Sequence, residues 1–120
     1  VIFDTNVLIY LSKYALNPDR ILVGDIAISV VTKIETLGFP FQNKEEYKLL
    51  LEICGQLKII PLNDLIVEET ITLRKLYKIK LPDAVIYATA LVESLPLLTN
   101  NTKDFQHLNG KVELINPFDL

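Results

Sequence analysis

The chain has 120 residues, 15 acidic and 12 basic side chains and a net charge of −3, so it is not a protein that coats nucleic acid by bulk charge. Its single His107 and single Cys54 exclude a tetrahedral zinc site and a disulfide framework, and any catalytic triad has to pass through that one His. Glycines at 24, 38, 55 and 110 form neither a dinucleotide fingerprint nor a phosphate loop.

This length suits one domain, residues 1–120, that buries about two-thirds of its unfolded surface. Half of the residues are apolar and mean hydropathy is +0.32, which predicts a generous core or apolar surface left for self-association. The longest apolar stretches, 26–31 and 84–92, fall well short of the roughly 20 residues of a membrane span. No leader-like segment is read at Val1, and the expectation is a cytoplasmic protein with no membrane partner. With no Met in the chain, residues are expected ahead of Val1.

Val1, Ile2 and Phe3 make an apolar run ending at Asp4, the pattern of a strand buried on both faces of a parallel sheet. Residues 5–14 read as a helix, and Asn17, Pro18 and Asp19 as a turn that closes this unit. Residues 26–30 are a second buried strand. Ser29 or Thr32 can cap the next helix, which carries Lys33, Glu35 and Leu37 and is stopped by Gly38 and Pro40. Over 44–57, Leu49, Leu50, Ile53 and Leu57 recur at three and four, an amphipathic helix.

Residues 58–62 resemble a short strand. Asn63 or Asp64 then caps a helix to about Lys78, with Ile66, Leu73, Leu76 and Tyr77 inward. Pro82 fits a first helical turn, Asp83 complements that helix's dipole, and 84–92 is apolar almost all round and must be central. A strand at 96–99, a short helix at 102–108 and a last strand at 112–115 complete the chain. Alternating strands and helices predict a layered α/β fold with a mostly parallel sheet, whose sites lie at the carboxyl ends of the strands.

The informative acids stand at element junctions. Asp4 ends the first strand, Glu35 lies a turn into the helix after the second, Asp83 opens the central helix and Asp104 follows the strand at 96–99. Each alone has a structural explanation: Asp4, Asp83 and Asp104 can serve helix starts, and Glu35 can be a surface residue. In a parallel sheet they can converge at one edge. Carboxylates about 6 Å apart at an effective dielectric near 20 repel by roughly 3 kcal/mol per pair, more than about 10 kcal/mol in all. Either some stay protonated or a cation sits between them. An oxygen donor set suits Mg²⁺ or Mn²⁺, ions that activate water on phosphates.

Four segments, VIFDTNVL at 1–8, ISVVTKIETL at 28–37, LPDAVIYATA at 81–90 and LTNNTKDF at 98–105, together resemble the signature blocks of PIN-domain ribonucleases. The similarity is greatest to the small VapC-type toxins of toxin–antitoxin pairs and covers essentially the whole chain. It implies a three-layer α/β/α fold and a Mg²⁺- or Mn²⁺-dependent endoribonuclease, usually homodimeric and inhibited by a small cognate antitoxin. Carried onto this sequence, Asp4, Glu35, Asp83 and Asp104 would hold metal and activate water. Asn6 and Thr99 would orient a carboxylate or a metal-bound water by hydrogen bonding. Asn101 stands where many relatives have an aspartate, a neutral oxygen donor that brings no charge.

Arg74, Lys75, Lys78 and Lys80 fall within a short stretch free of acids. Their bland reading is a solvated helix face. Closeness to Asp83 makes them candidates for leading an RNA backbone to the metals, with Lys33 and Lys103 as possible helpers. His107 reads as a surface or partly buried helix residue, Cys54 as core, and Tyr77 and Tyr87 as packed rings whose hydroxyls can reach RNA. Two other functions are weighed. A haloacid-dehalogenase-type phosphatase needs a second Asp where Asn6 stands and leaves Glu35 without a part. A catalytically inactive PIN-like module for RNA or protein binding would show loss of an acid, and none is lost.

Overall fold

Two- and three-residue strands have too little ladder to stand alone, and here they share one sheet. The computed structural model describes residues 1–40 and 43–120. Among them are the strands β1 (Ile2–Phe3), β2 (Ala27–Ser29), β3 (Lys58–Ile60), β4 (Leu97–Leu98) and β5 (Leu114–Ile115). All neighbours pair in parallel, in the order β3-β2-β1-β4-β5. The order reverses direction at β1, so the carboxyl ends of β1 and β4 flank the switch point where parallel sheets place their sites.

Seven helices among the described residues cover the sheet: α1 (Thr5–Ser12), α2 (Pro18–Ile21), α3 (Val30–Leu37), α4 (Lys44–Gln56), α5 (Asp64–Leu76), α6 (Leu81–Glu93) and α7 (Thr102–Phe105). The pleat divides the apolar side chains between two cores. Ile2, Ala27, Ile60 and Leu97 face α5 and α6, whereas Phe3, Ile28 and Leu98 face α1 and α4. Each such side chain, taken fully from water, stabilises the fold by about 1.5–3 kcal/mol. This is the predicted three-layer α/β/α arrangement.

Helix α6 is buried continuously over residues 84–90, as its all-apolar surface predicts. Thr89 is tolerated there because its hydroxyl donates to the Val85 carbonyl at 2.7 Å. Helix α3 contacts both α1 and α6, with Val31 packed against one core and Leu37 against the other. Glu35 is thereby carried over the middle of the sheet edge.

Several local expectations change. Pro18 opens α2 rather than closing a turn, because Asn17 caps it by accepting from the Asp19 N–H at 3.0 Å. Of the two proposed caps for α3, Ser29 serves, accepting from the Val31 N–H. Helix α5 ends at Leu76, two residues early, and Leu76 is 68% exposed while Tyr77 packs inward. The chain turns extended at Tyr77, so the ring takes the place that helical spacing assigns to Leu76. Helix α7 stops at Phe105, and β5 begins at Leu114. Leu65 and Leu76 lie three turns apart on α5 and are both about two-thirds exposed, so part of the apolar surplus lies outside the core.

Thr36 in α3 is fully buried, and its hydroxyl has no hydrogen-bond partner among the described residues. Replacing an unpaired buried hydroxyl by a methyl of the same shape removes a desolvation cost. Thr36→Val is therefore expected to stabilise the protein by about 1 kcal/mol. The check is a higher urea midpoint at unchanged slope; a lower midpoint contradicts it.

Candidate active site

Asp4 lies one residue past β1, where the apolar run has to stop, and its carboxylate is 4% exposed. A carboxylate buried that deeply needs donors. Its Oδ1 accepts from the Thr5 N–H at 2.8 Å, and its Oδ2 from the Thr99 hydroxyl at 2.7 Å and the Asn6 amide at 3.2 Å. Burial raises the Asp4 pKa and nearby Glu35 adds to it, while the bonds from Thr99, Thr5 and Asn6 pull it back. The two polar residues expected beside the cluster, Asn6 and Thr99, thus both touch Asp4.

The supports interlock. The Thr99 hydroxyl also accepts from the Asn101 N–H at 2.9 Å, and Asn6 Oδ1 accepts from the Asn100 N–H at 3.3 Å. The loop after β4 is tied in this way to the acid after β1. Asn101 caps the start of α7 without a side-chain capping bond.

Glu35 is positioned by Thr5, whose hydroxyl donates to Oε1 at 2.7 Å. The Thr5 and Thr32 hydroxyls are 3.3 Å apart, and Thr32 is fully buried. Thr5 is a residue of the candidate site that sequence reasoning missed. Its signal was position: it directly follows an acid predicted to be in the site. What hid it was that Thr at a helix start has an ordinary local role.

Asp83, in the first turn of α6, carries the record of the whole cluster. Its pKa is pushed up to about 6, first by burial and then by the charges of Asp4, Glu35 and Asp104, with Lys80 opposing. Asp104 is exposed on α7 and still contributes to this field. The charges of the other three predicted acids therefore all reach Asp83, and that of Glu35 also reaches Asp4, at the carboxyl end of the sheet. Among the described residues no three His, Cys, Asp or Glu side chains are grouped tightly enough to enclose a metal ion on their own.

Beside Asp83 and Asp104 runs a groove of about 500 Å³ walled by Lys78, Ile79, Lys80, Lys103 and His107. Lys78, Lys80 and Lys103 bring positive charge to the rim of the acidic cluster. Arg74 and Lys75 are not among its walls; Arg74 instead braces the α5–α6 connection by donating from Nη1 to the Ile79 carbonyl at 3.1 Å. Exposed His107 meets the edge of the Tyr77 ring, with centroids 6.1 Å apart. Tyr87 is buried and its hydroxyl donates to Asn109 at 2.8 Å, which commits it to the fold. Cys54 is a buried core residue whose thiol pKa is raised by burial. A larger groove, about 630 Å³, opens beside Val1, Ile26 and Lys58 at the amino ends of the strands, the wrong end of the sheet for this chemistry.

A family model described as PIN domain matches residues 1–111. Among solved structures, the chain is similar to one in a toxin–antitoxin complex from Klebsiella pneumoniae, with 32% identity, 98% of this chain and 97% of that chain covered, and a TM-score of 0.78. A chain of VapBC-5 from Mycobacterium tuberculosis shows 27% identity with 96% of each chain covered and a TM-score of 0.70. For VapBC2 from Rickettsia felis, bound to a promoter DNA fragment, the values are 25%, 96% of each chain and 0.78. Among curated proteins, none matches the chain.

The raised pKa of Asp83 makes a stability prediction. Between its ordinary value of 3.8 and about 6 the folded chain binds more protons than the unfolded one, so metal-free stability falls as pH rises through that window and stays low above it. Asp83→Asn is expected to stabilise the metal-free protein by about 1–2 kcal/mol at neutral pH. That is less than the roughly 3 kcal/mol such a pKa rise corresponds to, because solvent screens a partly exposed carboxylate. Urea melts in EDTA from pH 4 to pH 8 should show the gain shrinking toward pH 4. An equal gain at both ends contradicts the electrostatic origin.

Proposed function

Because the chain belongs to the PIN-domain family, and to its VapC-type members, we propose that it is a divalent-metal-dependent endoribonuclease, the toxin of a type II toxin–antitoxin pair. The observation that carries this is Asp83, which burial first and then the charges of Asp4, Glu35 and Asp104 push up to about 6. Repulsion of that kind at the open end of a sheet is relieved by a cation.

The donor set fits Mg²⁺ or Mn²⁺. It is all oxygen, the chemistry of an ion that takes one or two carboxylates directly and keeps several waters, and no three described acids are grouped closely enough to hold an ion by themselves. Asp4, Glu35, Asp83 and Asp104 would hold it, with the neutral Asn101 oxygen in reserve. Bound there, such an ion supplies an acidified water and positive charge at a phosphate. The rest is done by the chain itself. Thr99 and Asn6 keep the Asp4 oxygens aimed, Thr5 holds Glu35, and Lys78, Lys80 and Lys103 receive the backbone of RNA in the groove. Arg74 and Lys75 act at longer range through their charge.

The solved relatives are toxin–antitoxin complexes, which supports a small cognate antitoxin as partner. The exposed Leu65 and Leu76 support a homodimer. No described helix is long and apolar enough to cross a membrane.

Incubation with structured RNA is expected to give cleavage with Mn²⁺ or Mg²⁺ and none in EDTA. Thr99→Val and Asn6→Ala should lower the rate by about 10–100-fold, and Asp4→Asn and Asp83→Asn by more, with circular dichroism unchanged. Cleavage that survives both Asp substitutions removes the proposed mechanism. RNA binding without cleavage points to the inactive module instead.

A further saturation test needs no activity. At a hundredfold excess over its Kd, Mn²⁺ should raise the stability of the wild type by about 2.7 kcal/mol, a gain that Asp83→Asn loses in large part. Equal gains in the two proteins place the ion elsewhere.

A further inference from the structure

On the α1 side of the carboxylates lies an aromatic pair that hydrolysis itself does not use. Tyr10 of α1 and Phe118, in the single 3₁₀ turn Pro117–Asp119 after β5, meet edge to face with centroids 5.2 Å apart and planes at 77°. Phe118 is 49% exposed. A ring half in water contributes little to the core.

The pair is wired to the acids. The Tyr10 hydroxyl accepts from the Asn100 side-chain amide at 3.1 Å. The Asn100 N–H donates to Asn6 at 3.3 Å, and Asn6 donates to Asp4 at 3.2 Å. Segments following β1, β4 and β5 thus hold the rings at the same end of the sheet as the carboxylates. The basic groove lies on the other layer, since Tyr77 and Ile79 pack with the α5–α6 core and Tyr10 with the α1–α4 core. Single-stranded nucleic acid is held by two kinds of contact, cations along its phosphates and flat faces under its bases. This surface offers one on each side of the acids.

We propose that Tyr10 and Phe118 form a base-stacking subsite, so that the substrate is RNA with an unpaired nucleotide beside the scissile phosphate. Its backbone enters by Lys78 and Lys80, crosses the carboxylates and lays a base on Phe118. The proposal rests on the nuclease assignment above. It specifies single-stranded loops or ends, because bases inside an A-form helix have no free face to offer.

The test uses the full chain with Mn²⁺ and end-labelled single-stranded RNAs that differ by one abasic ribose stepped along the strand. At one position near the cut, loss of the base is expected to raise KM about tenfold. Phe118→Leu, which keeps apolar bulk against Tyr10 and loses the flat face, should raise KM for intact RNA by a similar factor and make the abasic position silent. Phe118→Trp should restore both. A flat abasic scan on the wild type, an unchanged KM in Phe118→Leu, or equal cleavage of a fully paired duplex overturns the subsite and leaves the nuclease assignment standing. If the wild type binds RNA without cutting it, the nuclease assignment fails alone, and the same scan read as Kd in Ca²⁺ decides the stacking subsite. If it neither cuts nor binds any RNA, both fall.

Discussion

One constraint organises this molecule: acids from distant parts of the chain are held within reach of one another's charge. Asp4 is buried among the ends of β1 and β4, and it is kept there by donors from Thr5, Asn6 and Thr99. The repulsion among the acids is left over after those bonds are made, and it adds to the burial that pushes the Asp83 pKa up to about 6. A fold that gained nothing from this cluster would have little reason to hold it together.

The sheet makes the cluster possible. Its strands are short, and the all-parallel order with a reversal at β1 puts the loops after β1, β2 and β4 side by side. Helix α3 bridges the two helical layers and brings Glu35 between α1 and α6. The wholly apolar α6 enters the centre of one core and so fixes its first turn, with Asp83, at the sheet edge. Burial over residues 84–90 and on both faces of β1 offsets the local electrostatic cost, so the site is strained where the rest of the molecule is most firmly packed.

The two flanks of the cluster differ in chemistry. On the α5–α6 layer, Lys78, Lys80 and Lys103 border the groove beside Asp83 and Asp104, so opposite charges stand side by side there. On the α1 layer, amides and hydroxyls pass from Asp4 through Asn6 and Asn100 to Tyr10. The stacking role proposed for Phe118 would let specificity toward a polymer be set by side chains that never touch the reacting atoms.

The alternation of apolar strands with amphipathic helices was enough to predict a parallel α/β fold, because burial on both faces leaves a continuous apolar run that alternation with water cannot produce. The acids were legible for a related reason: Asp4 and Asp83 interrupt or open segments that are otherwise apolar, where a charge is conspicuous. Asn6 and Thr99 were recognised only through resemblance to a family. Asn100 and Phe118 carried no mark in the sequence, and the position of Thr5 after Asp4 was an overlooked one, since a Thr at a helix start, an Asn in a loop and an aromatic near the end all have ordinary local roles. Nor could periodicity show that Arg74 turns back to the Ile79 carbonyl or that Leu76 faces solvent, because helical spacing holds only as far as the helix does. Contacts spanning ninety or more residues, such as Thr99 to Asp4 and Asn100 to Tyr10, were decided by the packing of the sheet alone. Hydrogen bonds select partners by position in space, and chain order does not encode that position until the core has formed.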